Sequence, residues 1–440
     1  MENMLTYDSL THLRDRVTFF ADKKTAAGMG MRAHLVMLQT FALPGINHKY
    51  NIQVGDQFLR DMSAFLDSFS PDYKAYRFAN ARFILLGKEC SQSDADSFVK
   101  KLHERFEQVW HVKANDKTYD IFLMPQIVHM FLNPDISDNG LTDRLNYGAS
   151  DKVYLEKAQN DILFFGEELE EALQRKTYVL DEVRYAIEQK TFQIYYQPIY
   201  DCRNKVFTSA ESLIRLFARD GSFISPGEFI PLAEGSSLID SISWIVLEKV
   251  CDFLGRHKEL PLKTVSVNMA GQQILDPTFV SRIEENLEKN HIEGSKLRIE
   301  ITERTVTDDF DKVKNIMQYL SEKGIHFYLD DFGTGYSNLS SMLRLPFEVI
   351  KFDVSLMRLM EESKKGSKTI ELLSNIMHEN SYLIVSEGIE TAAQAEQAYK
   401  LQMDRIQGFF FSKPLSETQL IDFFDNFDKS SGGVFENGKE

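Results

Sequence analysis

Apolar and polar positions alternate along this chain with two different periods, and the periods divide it. Ile325, Phe327 and Leu329 alternate with His326 and Tyr328, the two-residue period of a strand. The run ends in Asp330 and Asp331 and enters a loop spaced by Gly333 and Gly335. Similar short runs occur at Phe192–Ile199, Val206–Leu213, Thr264–Asn268, Leu297–Thr302, Val349–Phe352, Leu383–Glu387 and near Arg405–Gly408. Stretches of helical period fill the gaps, among them Asp240–Leu254 and Ser367–His378. Another is opened by Thr307, carries the stripe Phe310, Val313, Met317 and Leu320, and stops at Gly324. Eight strand-then-helix units predict an α/β fold, a (βα)8-type or TIM-like barrel over 191–430.

Residues 1–166 carry a different order of elements. Helices are expected at Ser9–Phe20, Gly55–Leu66 and Asp94–Phe106, and strands at His34–Leu38, Phe83–Leu86 and Ile121–Met124. This is an α/β sandwich pattern. Asp135–Asp151 has a loop composition, Ala149–Asn160 reads as a helix and Ile162–Phe165 as a last strand. Residues 167–190 form a linker helix with Leu169, Leu173, Leu180, Val183 and Ile187 on one face. The tail 431–440 reads as disordered.

Composition narrows the chemistry. A formal charge of -16 over 440 residues opposes sequence-independent DNA or RNA binding, which needs a basic face. Cys90, Cys202 and Cys251 are isolated and read as reduced thiols of a cytoplasmic protein. No apolar run approaches a membrane span, and the N-terminus lacks a signal-peptide core.

Candidate chemistry gathers at the strand ends. Two adjacent carboxylates such as Asp330 and Asp331 raise each other's pKa, and a divalent cation relieves that. Nearly every other strand end also bears a polar group: Glu211, Asn268, Glu300 with Glu303, Lys351 with Asp353, Glu387 with Glu390, and Gln407. In a barrel these converge on one mouth, and an oxygen-rich set selects Mg²⁺ or Mn²⁺ over zinc.

These motifs resemble the EAL family of cyclic di-GMP phosphodiesterases. Glu211-Ser212-Leu213 stands for the naming motif. Gln197-Pro198-Ile199, Val267-Asn268, Glu300-Ile301-Thr302-Glu303, Asp330–Ser337, Lys351-Phe352-Asp353, Glu387-Gly388-Ile389-Glu390 and Gln407-Gly408 stand at its other motif positions. The resemblance implies hydrolysis of cyclic di-GMP to linear pGpG with two Mg²⁺ or Mn²⁺ ions. It implies that Glu211, Asn268, Glu300 and Asp330 hold one metal and Asp331, with Asp330 bridging, the other. Lys351 orients or activates the attacking water, Glu387 and Gln407 complete the metal and water shell, and Glu303 pins the Asp331–Ser337 loop. Arg215 matches a phosphate contact and Gln197 a guanine or sugar contact, with Leu213, Asp353, Glu390 and Gln407 in the substrate set. A homodimer through this domain is also implied. The departures are Ser212 for alanine, Leu216 where tryptophan is frequent, Gly235-Ser236-Ser237 before Leu238, and Asn338 for serine. The competing readings are an inactive cyclic di-GMP receptor and an interaction scaffold.

Residues 1–166 resemble the GGDEF (diguanylate cyclase) family through Asp8–Arg16, Asn47–Leu59 and Arg77–Phe83. The family's signature glycines and acids are replaced here by Ala79, Asn80, Ala81 and Arg82, and Gln39 and Phe41 align with its upstream metal-binding aspartates. Without acids to hold metal, attack of a 3′-hydroxyl on GTP lacks its Lewis acid. A degenerate, non-cyclising domain is expected.

Overall fold

The computed structural model describes residues 6–28, 30–302, 309–334 and 339–427. The chain divides into two compact units, Met1–Thr177 and Tyr178–Glu440. The helix Glu167–Gln189 begins in the first and ends in the second.

In the first unit a six-stranded sheet runs in the order Arg14–Asp15, Tyr73–Ala79, Arg82–Lys88, Ala33–Gln39, Gln126–Leu132, Ile162–Phe164. The pleat sends alternate residues to opposite faces. Val36, Leu38, Phe83 and Leu85 enter one core, with helices Ile52–Ser68 and Gln92–Phe106; Leu35, Met37 and Ile84 enter the other.

Three expectations change here. The first helix starts at Arg16, not Ser9, because the Asp8 carboxylate accepts from the Thr11 N–H at 2.8 Å and hydroxyl at 2.7 Å and turns the chain. The polar stretch Asp135–Asp151 contains a helix, Asp138–Gly148, capped by Ser137 and anchored by buried Leu141 and Leu145. The strand expected at Ile121–Met124 is Lys117–Ile121, the second arm of a hairpin with Trp110–Ala114. Strands Tyr73–Ala79 and Gln126–Leu132 are interrupted by polar residues, and the sequence reading omits them.

The second unit is a closed barrel. Its strands are Gln193–Asp201, Val206–Phe217, Thr264–Asn268, Leu297–Thr302, His326–Phe332, Phe347–Phe352, Leu383–Ser386 and Arg405–Ile406. Strands two to eight pair in parallel in that order. The first strand is antiparallel to both neighbours and closes the ring, which a uniform repeat of strand-helix units does not anticipate. The helix Phe310–Glu322 is capped by Asp309, whose carboxylate accepts from the Lys312 N–H. Thr307, the expected cap, lies outside the described residues. No helix of the described residues is long and apolar enough to cross a membrane.

The barrel interior is layered by the pleat. Ile199, Tyr328, Val349 and Val385 form a small apolar cluster inside it. Two residues further along, on the same inward faces, stand Asp330, Lys351 and Glu387. On the first strand the equivalent step runs backwards, to Gln197, because that strand is reversed.

Candidate active site

Register brings the polar layer together. Glu211 lies opposite Gln197 on one side and Ser266 on the other, and Asn268 lies opposite Glu300. At the centre the Lys351 ammonium, 1% exposed, is 2.7 Å from Glu300, 2.8 Å from Glu387, 3.2 Å from Asp330 and 3.3 Å from Glu211. The Gln407 amide donates to Glu211 at 2.6 Å and to Gln197 Oε1 at 3.1 Å. The Asn268 amide donates to the other Glu211 oxygen at 2.9 Å.

Four carboxylates face one ammonium, and three of them, Glu211, Glu300 and Glu387, are shifted in different directions. Burial pushes Glu211 up, but Lys351, Gln407 and Asn268 outweigh it and hold the carboxyl below its usual range. Glu300 is raised well above the usual range by burial, with Glu211 and Asp330 adding to it. Burial pushes Glu387 up to about 8. Burial opposes the charge of Lys351, but Asp330, Glu211, Glu300 and Glu387 overcome it and keep the ammonium protonated.

Among the described residues, Glu300 Oε1 and Gln407 Oε1 are buried without a hydrogen-bond partner, and unmatched buried oxygens are rare in native proteins. Oxygens of Glu211, Glu300 and Asp330 lie within 4.8 Å of one another. Convergent, surplus carboxylate oxygens fit a hard divalent cation.

The rim is placed less uniformly. Asp331 holds a left-handed φ of +57°, and its carboxyl is raised by burial and by Asp330 and Asp353. It borders a cavity of about 380 Å³ shared with Leu213, Arg215, Asn268 and Asp330. Arg215 donates to the Ile214 carbonyl and lies 5.3 Å from the Tyr195 ring. Asp353 and Glu390 have local partners of their own. The Asp353 carboxylate caps the helix Val354–Glu362 through the Ser355 N–H at 2.8 Å. Glu390 is exposed, and its N–H donates to Gln394. Glu303 lies outside the described residues. The Ser412 carbonyl, which accepts from Gln197 at 3.1 Å, is a contact that the motifs do not signal.

Residues 180–414 match the family model for the EAL domain. The chain belongs to that family. Residues 5–123 match the model for the diguanylate cyclase, GGDEF domain. The chain is 27% identical over 438 residues to the signaling protein YkoW of Bacillus subtilis, covering 96% of this chain and 53% of YkoW. It is 26% identical over 430 residues to the bifunctional diguanylate cyclase/cyclic di-GMP phosphodiesterase MucR of Pseudomonas aeruginosa, covering 94% of this chain and 61% of MucR. The chain therefore spans about half to three-fifths of these relatives. Among solved structures, the PaMucR phosphodiesterase in a c-di-GMP complex is similar at 30% identity and a TM-score of 0.51. That match covers 55% of this chain and 99% of that one.

The departures from the EAL motifs that lie in the described residues leave the polar layer's register unchanged. Ser212 turns its hydroxyl to the Ser266 carbonyl at 2.7 Å and leaves Glu211 in register. Leu216 is buried in the core of the EAL domain. Ser237 takes a φ of +57° in the turn before Leu238. Asn338 lies outside the described residues.

Proposed function

We propose that the EAL domain hydrolyses a phosphodiester bond of cyclic di-GMP to give linear pGpG, using two divalent cations of the Mg²⁺ or Mn²⁺ class. The observation that carries this reading is the ring of Glu211, Glu300, Asp330 and Glu387 around Lys351, with Glu300 Oε1 lacking a donor among the described residues. The similarity to MucR points to the substrate. Glu211, Asn268, Glu300 and Asp330 would hold one cation, and Asp330 with Asp331 the second; Glu387 and Gln407 would complete the shell. When bound, such ions supply Lewis-acid polarisation of a phosphoryl oxygen and lower the pKa of water.

The remaining roles fall to the chain's own side chains. Lys351, within 3.3 Å of four carboxylates, presents its amino group to an incoming water and orients it. Glu387, 2.8 Å from the Lys351 ammonium, would hold that ammonium in place beside the cations. Arg215 presents a guanidinium to the phosphate beside Leu213, and Gln197 presents an amide to a base or sugar. Glu211→Ala and Asp330→Ala should each abolish pGpG formation while circular dichroism stays that of the native fold. Near-native turnover by either variant would remove these ligand assignments.

We infer that the first unit does not cyclise GTP. At the tip of its hairpin Arg82 donates to Gln39 at 2.7 Å and to Asn146 at 2.8 Å, where a cyclase needs carboxylates for metal.

A further inference from the structure

We propose that Glu182 is a positioning residue for substrate: through Arg219 it fixes the end of the second barrel strand, and with it the guanidinium of Arg215. The inference rests on the hydrolase reading above for what Arg215 touches.

Glu182 lies on the helix that leads into the barrel and is 3% exposed. One carboxylate oxygen accepts from the Arg219 backbone N–H at 2.9 Å. The other accepts from Arg219 Nε at 2.8 Å and lies 2.6 Å from Nη2. A single carboxylate thus binds both the main chain and the side chain of one residue. The guanidinium also lies 5.3 Å from the ring of Tyr185 on the same helix. Val179, Val183 and Ala186 of that helix share a core with Leu216, Ala218 and Ile224 around the clamp.

The strand needs such an anchor. Its pairing with the third strand runs only from Ser209 to Ser212, and with the first strand it stops at Arg215. Leu216 and Phe217 pair only with the short return strand Phe223–Ile224. Glu211 is therefore held by neighbours on both sides, whereas Arg215 sits where support thins. Arg219 lies four residues further on, in the turn closed by the Ala218 N–H donating to the Ser222 carbonyl at 2.8 Å. Among the described residues Arg215 pairs with no carboxylate, so its aim depends on its backbone and on Tyr195. The clamp therefore ties this helix to the strand end that carries Arg215, while Glu211 is held by its own strand pairings.

The test uses the full chain and the variants Glu182→Gln, Arg219→Ala and Arg215→Ala. Arg219 is 56% exposed in its side chain, so its truncation opens no cavity in the core. Hydrogen exchange without nucleotide should show faster exchange at the Leu216 and Phe217 amides in Glu182→Gln and Arg219→Ala, with Glu211 unchanged. KM for cyclic di-GMP, and its Kd in EDTA, should rise several-fold with kcat unchanged. Glu182→Gln should add nothing in an Arg215→Ala background. Unchanged exchange in both variants would overturn the clamp whatever the activity. Additive losses in the double variant would overturn the action through Arg215. Altered exchange in a protein that neither binds nor hydrolyses cyclic di-GMP would leave the clamp standing and remove the substrate reading instead.

Discussion

Lys351 and Glu300 are the two residues whose removal should have opposite consequences. Lys351 neutralises charge for four carboxylates within 3.3 Å. Replacing it by methionine strands buried charges, a loss of roughly 3–5 kcal/mol. Glu300 is fully buried, and burial raises its carboxyl. Glu300→Gln keeps the shape and removes a charge that folding disfavours. In metal-free buffer, thermal melts should show Lys351→Met well below the native protein and Glu300→Gln at or above it, with neither variant active. A Glu300→Gln protein that is both less stable and active would contradict this account of the ring. At this scale much of the site was legible, because an acid at the end of an apolar strand is conspicuous. Glu182 was not: on a helix rich in exposed acids, nothing in the sequence separates the one that is buried.

Among the elements, the pleat and the register place the chemistry. A two-residue period sets Asp330, Lys351 and Glu387 above the apolar cluster of Tyr328, Val349 and Val385. The period was readable, but the reversal of the first strand was not, since direction leaves no mark on alternation. Gly408 secures the last strand end: a Cβ there would lie 2.0 Å from the Ile389 carbonyl oxygen. Gly408→Ala should displace Gln407 and lower both melting temperature and turnover; wild-type values of both would contradict the close approach.

In the first unit, strands Ala33–Gln39 and Gln126–Leu132 bury His34 against His129, ring nitrogens 3.2 Å apart. Burial lowers both from 6.5 to about 4. The unfolded chain therefore binds protons that the native sheet refuses, and stability falls as pH falls from 6.5 towards 4. The urea midpoint of the first unit should drop between pH 7 and pH 5, and drop less in His129→Gln. An equal drop in the variant would show that the pair is not responsible. His129 also breaks the apolar run of the strand Gln126–Leu132, which the pattern of alternation therefore did not reveal.

For the whole molecule, two compact units predict two calorimetric transitions. Cyclic di-GMP added in EDTA should raise only the transition of the EAL domain, and a matched rise in both would mean that they unfold together. Domain order was readable because the two halves repeat differently, and their motifs match different families. The helical segment Asp138–Gly148 was not readable, because caps and turns draw on the same polar residues.

The most direct measurement is chromatographic analysis of cyclic di-GMP incubated with the full chain in Mg²⁺ or Mn²⁺, with EDTA and Asp331→Ala as controls. The account predicts conversion to pGpG that needs the metal and is lost in Asp331→Ala. Intact cyclic di-GMP in both metals, despite tight binding, would contradict it and make the protein a receptor.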